Sequence, residues 1–377
     1  MSISKNKKND NSLSIDNDDD LLKIFDAIDS SNSVALICHD TPDPDCIGPA
    51  QALSEYCASK NISSKILYGG DLSHLQNKAL VNVLGIEMKE FSSLIETNEK
   101  EDITKYIDKN FDLIIILDTS SYGGKGNMKF INNVPGIIID HHQGDVDLNG
   151  DLENILYLNH KCGSASSIIA HMFEKKRIAL SKESGTSLFI GLMSDTNFLS
   201  CAAVSEIDQN ANKYLLQYVD FALYTRIMNY EMPDELLRIK KLAYGNYFFR
   251  ENTLAIIGIG YLKPEFKDLL AIIAEEIVRV EGVQKVVVVG IIEERDGSRA
   301  VSASVRTSAD TTNTGAFCKR IFGEKYAGAK QGAGGAYVKL SDFDSEMIET
   351  NETNKESYFQ MVYDCYKKII LEVHTNA

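Results

Sequence analysis

The stretch SVALICHDTPDPD, residues 33–45, decides how this chain folds. Its first six residues, Ser33 to Cys38, form a short apolar run typical of a buried strand, and a helical stretch from Ala50 to Lys60 follows. Between the two lies a polar cluster that holds one histidine and three aspartates. The order strand, polar loop, helix predicts that this cluster lies at the carboxyl end of a strand.

The same pattern repeats on both sides of this stretch. Further strands are predicted at 64–68, 111–117 and 136–139, and helical stretches at 21–28, 73–84, 101–109 and 164–175. Continuous apolar runs that alternate with helices predict a parallel sheet covered on both faces. The fold class is therefore α/β, with a doubly wound parallel sheet in the N-terminal half.

A second set of elements follows a mostly helical region at 207–242. Strands are predicted at 254–260, 285–292 and 300–306, and helices at 267–280, 314–322 and 356–373. These indicate a smaller α/β domain. We expect a disordered tail over 1–20, a first domain over 21–205, a helical linker over 206–240 and a second domain over 241–377.

Composition narrows the classes of function. The 377 residues include 39 Lys and Arg against 54 Asp and Glu, a net charge of −15, which disfavours binding of long duplex nucleic acid. No apolar run approaches the roughly 18 residues that cross a bilayer, and we expect no membrane association. Seven cysteines without CxxC spacing, and a polar first stretch without a signal peptide, predict reduced thiols and a cytoplasmic protein.

Polar residues follow three predicted strands. His39, Asp43 and Asp45 come after the first, Asp118 after the strand at 111–117, and Asp140, His141 and His142 after the strand at 136–139. Carboxylates crowded at one sheet edge repel each other unless cations neutralise them. Mixed Asp and His ligands suit Mn²⁺, Mg²⁺ or Co²⁺. The sequence therefore predicts a divalent metal cluster.

Four motifs carry a family resemblance. HDTPDPD at 39–45, Asp118 after its strand, DHH at 140–142 and GLMSDT at 191–196 resemble, in order and spacing, the motifs of the DHH phosphoesterase superfamily. The two-domain layout is similar to the branch of nanoRNases and pAp phosphatases, which carries a DHH-associated C-terminal domain. The resemblance covers about residues 30–345.

The resemblance implies roles for individual residues. His39 and Asp43 would bind a first ion, Asp45, His141 and Asp195 a second, and Asp118 would bridge both. Asp140 would support the histidines, and His142 would contact the substrate phosphate or donate a proton. The implied cofactors are two divalent ions, Mn²⁺ before Mg²⁺ or Co²⁺, which activate water.

In the second domain, Ser304 and Arg306 and a glycine-rich loop containing Gly332, Gly334 and Gly335 resemble the substrate-holding elements of that branch. Glycines let backbone N–H groups approach an anion, and Arg offers a planar fork for phosphate. The family loop usually reads GGGH, and this chain lacks that histidine. A surface salt bridge and a tight turn are the alternative interpretation of these residues.

The resemblance implies a phosphoesterase that hydrolyses short oligoribonucleotides to mononucleotides, or 3′-phosphoadenosine 5′-phosphate to AMP. The expected partner is this short nucleotide substrate, and a homodimer is compatible with the family. A single-strand exonuclease or polyphosphate phosphatase with the same metal site is one alternative. A nucleotide-binding sensor without turnover is another.

Overall fold

The computed structural model of the chain describes residues 12–13, 15–72, 74–94, 100–119, 136–142, 155–159, 161–245, 247–250, 253–294, 296–308, 313–330, 332–342 and 354–375. The chain divides into two compact units, Met1–Tyr230 and Glu231–Ala377. Among the described residues, no helix combines the length and the apolar character that a membrane crossing requires.

The first unit contains a seven-stranded sheet in which every paired strand runs parallel. Its strands are β1 (Ser12–Leu13), β2 (Ser33–Cys38), β3 (Ser63–Tyr68), β4 (Met88–Glu90), β5 (Leu113–Leu117), β6 (Gly136–Asp140) and β7 (Ile155–Asn159). They lie in the order β1-β7-β6-β5-β2-β3-β4. The five residues of β5 and of β6 are all buried, as expected for central strands covered on both faces.

The helices of this unit are α1 (Asp18–Asp29), α2 (Pro44–Ser59), α3 (Leu75–Leu84), α4 (Lys100–Asn110), α5 (Ala165–Lys176), α6 (Lys182–Asp195), α7 (Glu206–Leu215) and α8 (Phe221–Met228). Polar side chains begin several of them. Ser164 and Ser181 accept backbone N–H bonds at the starts of α5 and α6, which satisfies donors that a helix leaves unpaired.

The strand order fixes where a ligand site can form. From β2 the chain continues to β3 and β4 on one side, and then returns to place β5 on the other side of β2. This reversal between β2 and β5 is the switch point at which doubly wound sheets open a crevice at the carboxyl ends of their strands. His39 directly follows β2, and Asp118 directly follows β5.

The second unit contains a mixed six-stranded sheet in the order β12-β13-β11-β10-β9-β8. Its strands are β8 (Tyr247–Arg250), β9 (Leu254–Leu262), β10 (Lys285–Glu293), β11 (Arg299–Thr307), β12 (Ala327–Lys330) and β13 (Ala333–Lys339). Its helices are α9 (Asp234–Gly245), α10 (Leu269–Ile277), α11 (Thr314–Phe322) and α12 (Lys355–Thr375). Only β9 and β10 pair in parallel among its described strands.

The N-terminal boundary differs from the prediction of a tail over 1–20. Residues 1–11 and 14 lie outside the described residues, but β1 pairs with β7, and Ile15 is fully buried. Asn17 caps α1 by accepting the N–H of Asp19, so the acidic run that resembled a tail forms the first turn of a helix.

The predicted linker over 206–240 also differs from the structure. Helices α7 and α8 belong to the first compact unit, and α9 belongs to the second. Both α7 and α8 bury apolar side chains, including Leu215 and Ile227, in the core of the first unit. An amphipathic helix that buries one face is part of a domain rather than a connector.

Candidate metal centre

The loop after β2 is held by its own side chains and by one distant residue. Asp43 caps α2, because its Oδ1 accepts the N–H groups of Asp45 and Cys46 at 3.0 and 3.2 Å. The buried Asn77 of α3 donates to the carbonyl of Pro42 at 3.0 Å. The loop geometry leaves His39 Nε2 at 3.7 Å from Asp43 Oδ1.

Asp118 lies at the centre of the cluster. It follows β5 with a left-handed φ of 58°, and its N–H donates to the carbonyl of Ile139 on β6. Non-glycine residues in this region are strained and concentrate at functional sites. The two carboxylate oxygens face different histidines: Oδ2 lies 3.6 Å from His39 Nε2, and Oδ1 lies 3.2 Å from His141 Nε2. Asp118 is therefore placed to bridge two groups of ligands.

The three residues of the DHH motif point in different directions. Asp140 ends β6 and is fully buried, and its Oδ1 accepts the N–H groups of both following residues at 2.9 and 3.2 Å. The same oxygen lies 2.8 Å from His142 Nδ1. Asp140 thus fixes the ring of His142, whose side chain is 57% exposed.

His141 points into the cluster. Its Nδ1 lies 3.3 Å from the carbonyl oxygen of Cys162, and because a carbonyl only accepts, Nδ1 carries the proton. Its Nε2 then faces the carboxylates of Asp118 and Asp195, each at 3.2 Å. Metal-bound histidines are usually oriented by a hydrogen bond of this kind on the second nitrogen.

Asp45 is held by the start of α5. Its Oδ2 accepts the N–H of Ala165 at 2.6 Å, and its Oδ1 accepts the N–H of Ser166 at 2.9 Å. The N-terminus of α5 is therefore occupied by a carboxylate of the protein itself, while Ser164 acts as its cap. Asp45 Oδ2 also lies 3.7 Å from His141 Nε2, which brings it into the cluster.

Two glycines let α2 and α6 approach closely enough for Asp45 and Asp195 to meet. A Cβ on Gly191 of α6 would lie 2.7 Å from the carbonyl oxygen of Pro44 and 3.0 Å from the Cα of Asp45. A Cβ on Gly48 of α2 would lie 2.9 Å from the carbonyl oxygen of Ser187. Any larger side chain would push the two helices apart.

The predicted ligands form two sets, and a third group that contains both Asp118 and His141 links them. In each set the candidate ligand atoms lie within 4.8 Å of one another: His39, Asp43 and Asp118 form one, and Asp45, His141 and Asp195 form the other, while Asp118 also lies with His141 and His142. Bonds of about 2.0–2.2 Å from an ion place neighbouring ligands about 3–3.4 Å apart. The pairs at 3.2–3.7 Å fit this spacing with small adjustments.

The electrostatics also fit cations. Burial by itself lowers the pKa of His39, but hydrogen bonds and charge from Asp118 and Asp43 outweigh it and raise the pKa to about 11. Burial likewise lowers the pKa of His141, whereas Asp118, Asp195 and Asp45 raise it to about 11. The centre favours positive charge so strongly that its imidazoles retain protons, which divalent ions would replace.

The pKa of Asp45 also indicates a site for cations. Burial raises the pKa of Asp45 well above its ordinary value, and the neighbouring charges of Asp118 and Asp195 add to this. A bound cation would remove the penalty of holding these carboxylates charged. The donor set of aspartates and histidines thus suits divalent metal ions.

The predicted substrate residues of the second unit lie together, but not in a loop. Gly334 and Gly335 belong to β13 and pair with Val305 and Ser304 of β11. The expectation of a glycine-rich loop is wrong at these positions. A Cβ on Gly334 would lie 2.4 Å from Cys318 Sγ, so the strand needs glycine where α11 packs against it. Gly332 precedes β13 with a positive φ of 76°.

Arg306 is held within its own unit. Its Nε and Nη2 donate to Glu275 Oε1 of α10 at 3.2 and 2.7 Å, and its Nη1 donates to Ser304 Oγ at 3.1 Å. The salt bridge named as the alternative interpretation is therefore present. It fixes the guanidinium beside Ser304, and any substrate contact by Arg306 would compete with Glu275.

Sequence reasoning missed three residues that hold the centre. Asn77 pins the loop after β2, the Cys162 carbonyl orients His141, and Asp208 of α7 accepts the N–H of Gly163 with both carboxylate oxygens. Only the string KCGSASS at 161–167, which begins α5, gave a local signal. The partners of this string are distant in the chain, and no spacing predicts them.

Part of the first unit matches a known protein family. Residues 33–192 match the N-terminal domain of the DHH family. The β2 loop, Asp118 and the DHH motif lie within this match, and Asp195 follows it; all of them contribute to the cluster described above.

Individual proteins are similar to this chain. An uncharacterized protein of Methanocaldococcus jannaschii is 28% identical over 338 residues, which cover 90% of this chain and 63% of that protein, so the chain spans less than two thirds of that relative. A Streptococcus mutans protein named probable bifunctional oligoribonuclease and PAP phosphatase NrnA is 27% identical over 237 residues, covering 62% of this chain and 68% of the relative.

A solved structure shows the same fold. The crystal structure of an exopolyphosphatase-related protein from Bacteroides fragilis aligns with a TM-score of 0.62 and 15% identity, and covers 93% of this chain and 97% of that one. At this identity the likeness concerns the fold alone.

Proposed function

We propose that this chain is a metal-dependent phosphoester hydrolase of short nucleotides. It would cleave oligoribonucleotides of a few residues to mononucleotides, and 3′-phosphoadenosine 5′-phosphate to AMP. The observation that carries the proposal is the position of Asp118, whose Oδ2 faces His39 of one ligand set and whose Oδ1 faces His141 of the other. The name of the Streptococcus mutans relative supports this class of substrate.

The ligand sets would hold two divalent ions, with Mn²⁺ as the preferred metal. Two ions in such a centre lower the pKa of a bound water and stabilise charge on the phosphoryl oxygens. Asp118 would bridge the two ions. Asp43 and His39 would hold one ion, and Asp45, His141 and Asp195 would hold the other. These residues would thereby position the scissile phosphate for an in-line attack.

His142 would supply a proton to the leaving oxygen. The hydrogen bond between its Nδ1 and Asp140 raises the pKa of His142 above its ordinary value and so favours the imidazolium form. Asp140 engages Nδ1, and the ring presents Nε2–H as the acid. A general acid held in this manner contributes about 10²–10⁴-fold to the rate.

The net charge supports a preference for short substrates. A protein with a charge of −15 repels a long polyanion, whereas a centre with two bound cations attracts one or two phosphates locally. We therefore expect weak activity on long single strands.

Hydrolysis of three labelled substrates side by side tests the proposal: a diribonucleotide, 3′-phosphoadenosine 5′-phosphate and a long single strand, each with Mn²⁺ and with a chelator. The Asp118→Asn protein serves as the control for contaminating nucleases. Rapid, Mn²⁺-dependent cleavage of a short substrate, with the long strand nearly intact, supports the proposal. Preferred degradation of the long strand would point to an exonuclease, and nucleotide binding without turnover would point to a sensor.

A further inference from the structure

Asp208 is a fully buried carboxylate outside the ligand sets. It lies in the first turn of α7, where its Oδ2 accepts the N–H of Ser205 at 2.7 Å and the hydroxyl of Ser205 at 2.8 Å. Those two bonds complete the cap of α7. A capping role uses only this oxygen, and it does not explain why the whole carboxylate is buried.

The other bonds of Asp208 reach a loop that follows β7. Ser167 Oγ donates to Oδ1 at 2.6 Å, and the N–H of Gly163 lies 3.0 Å from Oδ1 and 2.9 Å from Oδ2. Gly163 has no room for a side chain: a Cβ there would lie 2.6 Å from Thr196 Cγ2 and 3.3 Å from Asp208 Oδ1. The carboxylate therefore fixes the backbone at Gly163.

The residues on both sides of Gly163 hold metal ligands. The preceding residue, Cys162, offers the carbonyl that accepts from His141 Nδ1. The following residues, Ala165 and Ser166, donate their N–H groups to the carboxylate of Asp45. One short segment thus aims two ligands of the same set, and Asp208 anchors the middle of that segment.

We propose that Asp208 is a positioning residue of the metal centre. Its charge holds the 162–166 segment so that His141 Nε2 and the Asp45 carboxylate converge on one ion. This inference rests on the metal centre of the proposed function, but not on any particular substrate. Hydrogen-bonded partners behind metal ligands typically change metal affinity by about 10–100-fold when they are replaced.

The test compares Asp208→Asn with the wild-type protein in a titration with Mn²⁺ alone, in which free Mn²⁺ is read by electron paramagnetic resonance. We expect Asp208→Asn to bind the more weakly held Mn²⁺ about 10–100-fold less tightly, with an unchanged far-ultraviolet circular dichroism spectrum. The matched control is Asp220→Asn. Asp220 caps α8 through the N–H groups of Ala222 and Leu223, and none of its bonds leads to a ligand.

Equal Mn²⁺ affinity in Asp208→Asn and wild type overturns the inference, and so does an equal loss in Asp220→Asn, which would indicate general destabilisation. If Asp208→Asn does not fold, Ser167→Ala removes one hydroxyl bond to the carboxylate and keeps its charge. It should weaken Mn²⁺ binding in the same direction by a smaller factor, and unchanged affinity there overturns the inference. Because no substrate is present, the result stands even if every tested nucleotide resists hydrolysis.

Discussion

Metal binding by this centre should release protons, because two of its histidines hold a proton when no ion is bound. The pKa values of His39 and His141 are both raised to about 11 by the surrounding carboxylates. At neutral pH the surrounding carboxylates therefore favour the imidazolium form of both rings. An ion that takes the Nε2 lone pair must displace the proton from it.

The size of the effect follows from the number of protons. Each unit increase of pH lowers the proton concentration tenfold, and one displaced proton per ion therefore raises the affinity for that ion tenfold. Between about pH 6.5 and 8.5 the apparent affinity for each ion should rise about 100-fold, which corresponds to about 2.7 kcal/mol. Mn²⁺ binding should therefore strengthen as the pH rises, and weaken as the pH falls because protons then compete with Mn²⁺ for the histidine nitrogens.

Isothermal titration calorimetry with Mn²⁺ in buffers of different ionisation enthalpy counts these protons. The slope of the observed enthalpy against buffer enthalpy should correspond to at least two protons for two ions, because Asp45, whose pKa is also raised, adds to the release. His171→Gln is the control, because burial lowers the pKa of His171 and that ring is neutral near pH 7. A slope near zero in the wild-type protein, together with an affinity that does not change with pH, would refute this reasoning.

Three further outcomes are expected. Asp118→Asn should lower kcat about 10³-fold or more, measured on a diribonucleotide at saturating Mn²⁺, because the loss of one ion forfeits several kcal/mol of stabilisation. Gly191→Ala should lower the free energy of unfolding by about 1–3 kcal/mol in urea and weaken Mn²⁺ binding, since its Cβ would lie 2.2 Å from Ser166 Oγ. Arg306→Gln should raise KM about 10–100-fold without changing Mn²⁺ affinity, because it would remove the charged hydrogen bond to phosphate that the family resemblance implies for Arg306.

The Gly191→Ala and Arg306→Gln outcomes each have a matched control. Gly245→Ala places a Cβ where no atom lies within 4 Å, and it should leave both stability and Mn²⁺ affinity unchanged. Arg238→Gln removes a guanidinium that is 78% exposed and paired with Glu235, and KM should not respond. Wild-type kcat in Asp118→Asn, wild-type stability in Gly191→Ala, or wild-type KM in Arg306→Gln would count against the role assigned to that residue.

The first sheet could be predicted from the sequence because its central strands are short, continuous and apolar. The runs at 33–38 and 111–117 coincide with β2 and β5, and the polar residues after them lie at the switch point. A parallel strand that is buried on both faces can be predicted from its composition, because its residues form a continuous apolar run. The gathering of His39, Asp118 and His141 follows once these strands are placed, whereas the ions that they would hold stay a prediction.

The sequence was less informative where the pairing partner decides the structure. The strands β12 and β13 are rich in Ala and Gly, residues that favour turns or helices locally, and they form a ladder because β11 and α11 lie against them. Strand β7, which pairs in parallel with both β6 and β1, was also missed. Tertiary contacts overrode local propensity in β12 and β13.

The supports of the centre were also beyond prediction. Asp208 lies 45 residues from Gly163 in the chain. In the sequence, Asp208 forms part of an ordinary helix-capping pattern, which predicts only that a helix starts there. Its second role exists because α7 packs beside the start of α5. Contacts of this kind have no periodicity and no motif.

We propose that Asp118 joins two metal ions. Crystals grown with Mn²⁺ and measured near the manganese absorption edge would locate these ions. Two anomalous peaks about 3.5–4 Å apart are expected, one on each side of the Asp118 carboxylate. A single peak, or peaks that avoid Asp118 and lie elsewhere in the chain, would contradict it.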